Sequence, residues 1–327
     1  MKKEFIFERA SFPQCHASTL AETPAGLVAA WFGGTSEGSK DVDIWVSWRE
    51  GEAWHPPQLV ANGVSGRRRY PCWNPVLFQP TRGPLHLYFK VGPSPSRWWG
   101  MQAVSPDHGR TWAEPTRLGH GILGPIKNKP VELADGTWLS PSSCERSGWK
   151  IHVERSTDNG ATWHRGHPLN DGREFAAIQP CVLRHADGRL QLLSRTRRGI
   201  IASCWSTDGV HWTTLAATTL PNPDSGIDAV TQVDGSHILV YNHAQLARSP
   251  LNLALSFDGL HWQALCVLEE AAGEFSYPAI IAGADRCLHL TWTWNRRRIR
   301  YACLHPSEFS PLPIDSGHWP DAPPTEP

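Results

Sequence analysis

The segment Ser105–Trp112 reads Ser-Pro-Asp-His-Gly-Arg-Thr-Trp, and Ser156–Trp163 repeats the pattern as Ser-Thr-Asp-Asn-Gly-Ala-Thr-Trp. Two shortened copies, Ser206–Trp212 and Ser256–Trp262, follow, and a degenerate copy, Ser47–Trp54, precedes them. The copies begin at residues 47, 105, 156, 206 and 256, so a chain of 327 residues has room for six units. A period of about fifty residues is typical of repeat architectures such as propellers.

Each copy has the residues of a tight turn. The Asp carboxylate can accept backbone N–H groups across the turn, and Gly can adopt the positive φ that the reversal needs. The Trp that ends each copy can bury its ring against the neighbouring unit. Between copies, Asp-Gly pairs lie within apolar stretches at 131–139, 182–193 and 233–240, a pattern typical of β-hairpins. The repeats predict an all-β, six-bladed β-propeller with Asp-box turns, and we assign these turns a structural role only.

Composition excludes several classes of protein. Lys and Arg number 31, as do Asp and Glu, so the formal net charge is zero and a broadly basic nucleic-acid binder is excluded. No apolar run approaches the roughly 18 to 20 residues of a membrane span, and the first residues show no signal-peptide pattern. The eight cysteines include no Cys-x-x-Cys pair, so we expect reduced thiols and neither metal nor cofactor. We expect a cytoplasmic location, or a secreted or periplasmic one if a leader was removed.

Proline content bears on domain organisation. The 28 prolines are spread along the chain and disfavour long helices. We expect a single propeller domain over residues 1–327, with an extended, Pro-rich tail from about residue 308 to 327. The sequence does not define the oligomeric state.

With these repeats, the sequence resembles the Asp-box, or bacterial neuraminidase repeat, proteins, the sialidase-like six-bladed propellers, from about Phe12 to Cys303. The resemblance implies an exo-glycosidase that releases a terminal acidic sugar. It also implies an acidic oligosaccharide or glycoconjugate as the partner, bound at one mouth of the central channel. Asp boxes also occur in propellers that are not sialidases, so the pattern is more specific for the fold than for the activity.

The resemblance also implies the catalytic residues. Tyr277, in a Glu-Phe-Ser-Tyr-Pro segment, matches the placement of the family's nucleophilic tyrosine. Asp41, in the glycine-rich acidic loop 33–43, matches the acid/base, and Glu37 on the same loop is the alternative acid. His16 is a further candidate, because its charge is tunable near neutral pH. Asp41 could equally be a solvated loop acid, and His16 a structural residue.

The binding residues only partly match the family pattern. Arg195 and Arg248 match arginines that bind the substrate carboxylate. The segment Phe12–His16, where sialidases have a further arginine, contains none, and Gln179 stands where the family has the glutamate that activates the tyrosine. An amide cannot act as a base.

Other polar residues near predicted inner strands are candidate ligands for an anionic sugar. If Lys127 and Lys129 lie on a strand, alternation sends both side chains to one face, where they could clamp an anion. Glu145 could balance their charge, and Asp228 could bind sugar hydroxyls. Arg69, beside an aromatic residue, could grip an anion. Solvated surface positions are the alternative for the basic residues.

Three functions are compatible with these residues. The first is a sialidase-like hydrolase of a terminal acidic sugar, that is, a sialic acid, another nonulosonate or a uronate. The second is a polysaccharide lyase or atypical glycosidase that uses His16 or Tyr277 on a glycan containing uronate or rhamnose. The third is a carbohydrate-binding propeller without catalytic activity, consistent with Gln179.

Overall fold

Short antiparallel strands account for nearly all the regular structure of residues 1–321, the part of the chain that this computed structural model describes. The N-terminal strand and the strands of the first two blades are β1 (Lys2–Phe5), β2 (Gln14–Thr23), β3 (Gly26–Gly34), β4 (Asp43–Glu50), β5 (Ala53–Trp54), β6 (Gln58–Ala61), β7 (Val64–Ser65), β8 (Arg68–Arg69), β9 (Cys72–Phe78), β10 (Leu85–Val91), β11 (Trp99–Ser105) and β12 (Thr116–Arg117). The third and fourth blades contain β13 (Val131–Glu132), β14 (Trp138–Cys144), β15 (Lys150–Ser156), β16 (His164–Arg165), β17 (Ala177–Arg184), β18 (Leu190–Thr196), β19 (Ile200–Ser206) and β20 (Ala216–Pro221). The last two contain β21 (Asp228–Thr231), β22 (His237–Tyr241), β23 (Leu251–Ser256), β24 (Gln263–Glu269), β25 (Phe275–Ala282), β26 (Leu288–Trp294), β27 (Arg298–Leu304) and β28 (Leu312–Pro313).

These strands form six sheets of four or five strands, and β7 and β8 form a separate hairpin. Apart from β1, β6 and β28, the strands of each sheet pair in chain order. The innermost strands of neighbouring sheets contact each other around the channel. Thus β2 contacts β9 and β25, and β21 contacts β17 and β25. The predicted six-bladed β-propeller is confirmed.

The Asp-box turns form as the sequence predicts. In the second blade, the Asp107 carboxylate accepts the Thr111 N–H at 2.8 Å and the Thr111 hydroxyl at 2.7 Å, while Ser105 Oγ accepts the Gly109 N–H at 2.7 Å. Gly109 has φ 93°, and a Cβ there would lie 2.9 Å from a methyl carbon of Val28 in the first blade. Glycine is therefore needed twice, for the turn and for the close contact between blades.

The ring of blades is closed by pairing of the first strand with β27. β1 lies antiparallel to β27, with Lys2 opposite Cys303 and Phe5 opposite Arg300, and completes the sixth blade. The terminal amino group lies 2.8 Å from the Glu308 carboxylate.

Part of the predicted tail returns to the propeller. After a short 3-10 helix, Pro306–Glu308, strand β28 pairs with β24 on the outer edge of the fifth blade. Ile314 is buried there, and Trp319 packs against the same cluster. The remainder of the predicted extended tail, 322–327, lies outside the described residues. Across residues 1–321, no helix is both long and apolar enough to cross a membrane.

Candidate active site

Four of the innermost strands carry a bulge near their N-terminal ends, at one mouth of the channel. The bulged residues are in the left-handed region, with φ 57° at Ala17, 35° at Asn74, 56° at Gln179 and 50° at Tyr277. The pairing register shifts beside each of them. Such backbone conformations cost about 1 kcal/mol or more in a residue other than glycine and recur at functional sites. Bulges also re-aim side chains, and here they bring Gln179 and Tyr277 together across the channel.

Tyr277 lies at the centre of this mouth. Its hydroxyl oxygen accepts a hydrogen bond from Arg195 Nη1 at 3.0 Å and one from Gln179 Nε2 at 3.3 Å. Arg195 Nη1 also donates to Gln179 Oε1 at 3.1 Å, which fixes the amide with its N–H toward the phenol. The two donors hold the phenolic oxygen in a fixed position beside the Arg195 guanidinium. The tyrosine is 8% exposed.

His16 packs against this tyrosine. The two ring centroids are 4.2 Å apart, and His16 Nδ1 lies 3.0 Å from the Thr293 hydroxyl. Burial lowers the pKa of His16 well below its ordinary value, and the nearby arginine side chains lower it further. The imidazole is therefore neutral at neutral pH.

A chain of ion pairs borders the tyrosine on the side of the first and sixth blades. Arg248 stacks on the Tyr277 ring at 5.8 Å and donates to Glu274 at 2.9 Å. Glu274 also accepts from Arg296 Nε at 2.9 Å, and Arg296 in turn contacts the Glu37 carboxylate. Burial alone would raise the pKa of Glu274, but hydrogen bonds from Arg296 and Ser276 hold it below its ordinary value. Glu37, predicted from its loop, thus belongs to this mouth.

A second acidic group lies on the other side of Arg195. Asp224 pairs with Arg195 Nε at 3.1 Å, and the Arg195 guanidinium packs over the Trp149 ring at 5.0 Å. The indole N–H of Trp149 donates to Glu145 at 3.1 Å. Burial raises the pKa of Glu145, although the charge of Arg195 opposes the shift. Glu145 is therefore linked to Arg195 through the Trp149 ring, and it makes no hydrogen bond to the tyrosine.

The predicted acid/base Asp41 is held within its own loop. Its carboxylate accepts the Thr35 N–H at 2.9 Å and the Thr35 hydroxyl at 2.6 Å. The hydroxyl hydrogen bond lowers the pKa of Asp41, so the group is ionised at neutral pH. Arg69 donates to both oxygens of Asp43, at 2.8 and 2.6 Å, and to the Lys40 carbonyl at 2.9 Å. Arg69 therefore braces the acidic loop through its Nε and Nη2 groups.

Lys127, Lys129 and Asp228 lie within the channel. Neither lysine lies on a strand, because β13 begins only at Val131, so strand alternation does not set the directions of their side chains. Lys127 is 4% exposed and donates to the carbonyls of Ile227 and Pro278, and burial lowers its pKa to about 8. Lys129 donates to both Asp228 oxygens at 3.0 Å. The two ammonium groups are hydrogen-bonded to backbone carbonyls and to Asp228. Contrary to the sequence prediction, they do not point together toward a space that an anion could occupy.

One hollow on the channel axis lies at the opposite mouth. It has a volume of about 350 Å³ and is lined by the C-terminal ends of inner strands together with the segment Lys129–Glu132. The tyrosine, the neutral histidine and the arginines are all at the other end. A separate open cleft of about 470 Å³ borders Glu274 and Arg296 there. We place the candidate site at that mouth because the reactive groups converge on it.

The sequence did not indicate three residues of this site. Arg296 lies in a run of three arginines that has no distinguishing pattern, but Asn295 and Arg296 have φ 49° and 55°, and this turn directs the Arg296 side chain to Glu274. Asp224 and Trp149 come from loops of the fifth and third blades. No local pattern distinguishes them from ordinary loop residues.

The fold and the cluster at its mouth define a propeller of the sialidase-like class. A family model described as "BNR repeat-like domain" matches residues 25–290, and the chain belongs to this family. No curated protein matches the sequence.

Solved structures support the same fold at low sequence identity. A Dyadobacter fermentans protein of unknown function aligns with TM-score 0.77 and 16% identity over 93% of this chain and 97% of its own. The Hadza microbial sialidase Hz136 aligns with TM-score 0.76 and 18% identity over 91% and 66% of the respective chains. The NanB sialidase from Streptococcus pneumoniae aligns with TM-score 0.77 and 12% identity over 94% and 71%. The chain thus spans about two thirds of each of these sialidases.

Proposed function

We propose that this protein is a glycoside hydrolase that releases a terminal acidic sugar, with Tyr277 as its nucleophile. The observation that carries the proposal is the phenolic oxygen of Tyr277, which receives hydrogen bonds from Arg195 and Gln179 at the mouth of the channel. A phenolate held in this way can attack an anomeric carbon without placing a carboxylate next to the substrate's own carboxylate.

The arginines supply the specificity for an acidic sugar. Arg195 and Arg248 both lie close to the Tyr277 ring, with guanidinium carbons 5.6 and 5.8 Å from its centroid. Both are also paired with acids, Asp224 and Glu274. A substrate carboxylate at this mouth gains bidentate, charge-assisted hydrogen bonds from donors that these acids hold in place.

The remaining steps require proton carriers. Burial and the nearby arginines keep the His16 ring from taking up a proton, so the phenolic proton of Tyr277 passes to water at the mouth of the channel as the oxygen attacks. Glu37 protonates the glycosidic oxygen as the tyrosine attacks, and then deprotonates the water that releases the sugar from Tyr277. Among the two loop acids we favour Glu37, because it contacts Arg296 at the mouth whereas Asp41 is tied to Thr35.

Product analysis tests the reaction class. The protein is incubated with sialylated and uronate-capped oligosaccharides, and the products are weighed by mass spectrometry. Products whose masses sum to substrate plus one water support hydrolysis. Tyr277→Phe should abolish turnover and retain binding, whereas Tyr70→Phe, in a tyrosine of the second blade, should not. An unchanged panel with the wild-type protein contradicts the proposal.

A second candidate, elimination at a uronate, is favoured by one specific observation. Gln179 places a neutral amide, in place of a carboxylate, beside Tyr277 and Arg195. An amide and a guanidinium can neutralise a uronate carboxylate, so that its α-proton becomes removable by the tyrosinate. Products whose masses sum to that of the substrate, with an unsaturated uronate end, would identify this reaction.

A further inference from the structure

A second cluster of reactive side chains lies in the sixth blade, at the opposite end of β25 from Tyr277. Asp285 stands in the turn after β25, His289 lies on β26, and Cys303 is its direct partner on β27. One carboxylate oxygen, one ring nitrogen and one sulfur of these residues lie within 4.8 Å of one another. Cys287 follows Asp285 in the same turn, and its backbone N–H donates to Asp285 Oδ1 at 2.9 Å. Three donors of types that bind metals therefore meet at one point, and a second thiol, that of Cys287, stands in the adjoining turn.

Both ring nitrogens of His289 have a polar partner. Its Nε2 lies 3.2 Å from Asp285 Oδ1, and its Nδ1 lies 2.8 Å from the Tyr301 hydroxyl. A hydrogen bond to the second ring nitrogen is characteristic of histidines that bind metals, because it fixes the ring and its tautomer. A Cβ at Gly283 would lie 2.5 Å from Nε2 and 2.6 Å from Oδ1. Glycine at this position keeps the space beside both donor atoms free.

The other blades show that the turn itself does not require these side chains. The aspartate of the corresponding hairpin accepts the N–H two residues later in the third, fourth and fifth blades, as Asp285 does in the sixth. At the position of His289, and opposite it at that of Cys303, these blades have Leu139 with Arg155, Gln191 with Trp205, and Ile238 with Leu255. The two cysteines and the histidine are thus additional to the turn.

We propose that Asp285, His289 and Cys303 bind a structural zinc ion, and that Cys287, two residues after Asp285, turns its thiol toward the ion as the fourth ligand. Thiolate, imidazole and carboxylate donors in a four-ligand set are those that Zn²⁺ takes in closed tetrahedral sites. On binding, the two thiols lose their protons to solvent, and the ion joins the turn 283–287 to β27. The cysteine spacing led us to expect no metal. A site whose ligands come from two strands and a turn leaves no such spacing pattern in the sequence. The zinc site is independent of the glycosidase proposal.

Cobalt substitution tests the site directly. The full-length protein, kept reduced and stripped of metal with a chelator, is titrated with Co²⁺ and then with Zn²⁺. We expect one equivalent of Co²⁺ to bind, with thiolate-to-cobalt charge-transfer absorption and the intense visible bands of tetrahedral cobalt, both abolished by Zn²⁺. Cys303→Ser and Asp285→Asn should weaken binding, and Cys287→Ser should also reduce the charge-transfer intensity. Tyr301→Phe should keep the spectrum and weaken affinity by about 10- to 100-fold.

Cys266→Ser is the matched control, since Cys266 is also a partly buried thiol on an outer strand. It should bind Co²⁺ as the wild-type protein does. Asp285 is exposed, so Asp285→Asn retains the test if Cys303→Ser does not fold. The proposal is overturned if the reduced wild-type protein binds no cobalt, if bound cobalt shows no thiolate band, or if Asp285→Asn and Cys287→Ser bind like the control.

Discussion

Replacing Gln179 by glutamate would restore the carboxylate that the sialidase-like pattern has beside its tyrosine. In the structure, Gln179 donates to the Tyr277 hydroxyl at 3.3 Å and accepts from Arg195 at 3.1 Å. A glutamate in the same rotamer keeps the contact with Arg195 and reverses the other, so that Tyr277 donates its proton to the carboxylate. If the protein is a hydrolase with a tyrosine nucleophile, Gln179→Glu should raise kcat.

The size of the effect follows from the two contacts. A general base within hydrogen-bond reach contributes about 10²- to 10⁴-fold to rate, and the pairing of the new carboxylate with Arg195 makes it a weaker base, so we expect an increase at the lower end, about 10²-fold. Gln179 is 2% exposed, so the new charge loses several kcal/mol of solvation, of which the Arg195 pair returns a part. The free energy of unfolding should therefore fall by about 1–3 kcal/mol.

Steady-state hydrolysis of a sialylated or uronate-capped substrate, followed across pH, measures the gain. A new acidic limb should appear in the kcat profile, because the added carboxylate must be ionised to act. Gln179→Asn shortens the side chain without adding a base and serves as the control. If Gln179→Glu folds and binds substrate but is no faster than the wild-type protein, activation of Tyr277 by a base is not the limiting step, and our reasoning is refuted. A fall in activity with unsaturated products would support elimination, because a carboxylate at this position repels a uronate.

Three further outcomes are expected. Glu37→Gln should reduce kcat about 10²-fold or more while Asp41→Asn has a much smaller effect; equal losses in steady-state assays would contradict the choice of acid. Gly209→Ala, at φ 70° and with its new carbon 2.8 Å from a third-blade methyl group, should lower the free energy of unfolding by about 2–4 kcal/mol. Gly188→Ala, at φ 86° in open space, should lower the free energy of unfolding by only about 1–2 kcal/mol. If urea denaturation gives the same loss for both variants, the close contact between blades at Gly209 does not contribute to the effect. Burial holds the pKa of His86 at about 4 against 6.5 in the unfolded chain, so the unfolded state binds the extra proton between these values. The urea midpoint should therefore fall as pH is lowered through that window, and it should fall less in His86→Gln.

The fold could be predicted from sequence because its decisive contacts are local. In the turn at Asp107, every hydrogen-bonding partner of the carboxylate lies within four residues. A recurring short pattern therefore predicts the turn, its spacing predicts the blades, and the Asp-Gly pairs between copies predict the hairpins.

The site was less accessible because its contacts are distant in the chain. Gln179 and Tyr277 are 98 residues apart, and Arg296 and Glu37 are 259 apart. Family position indicated Tyr277, Arg195 and Arg248, which the structure brings together, but their roles in binding and catalysis stay predictions. It did not indicate Arg296, whose direction depends on a left-handed turn, or the internal partners that occupy Lys127 and Lys129.

The pairing of β1 with β27 also has a consequence for synthesis on the ribosome. Strand β1 emerges from the ribosome before the rest of the propeller, but its partner, Arg298–Leu304, emerges nearly three hundred residues later. Throughout that interval, the Lys2–Phe5 segment has no native neighbour to pair with, and the nascent blades form an open arc whose end strands are free to pair with other chains. Closure of the arc is the most non-local event in the molecule, and we expect it to be the slow step of folding and the stage most in need of a chaperone.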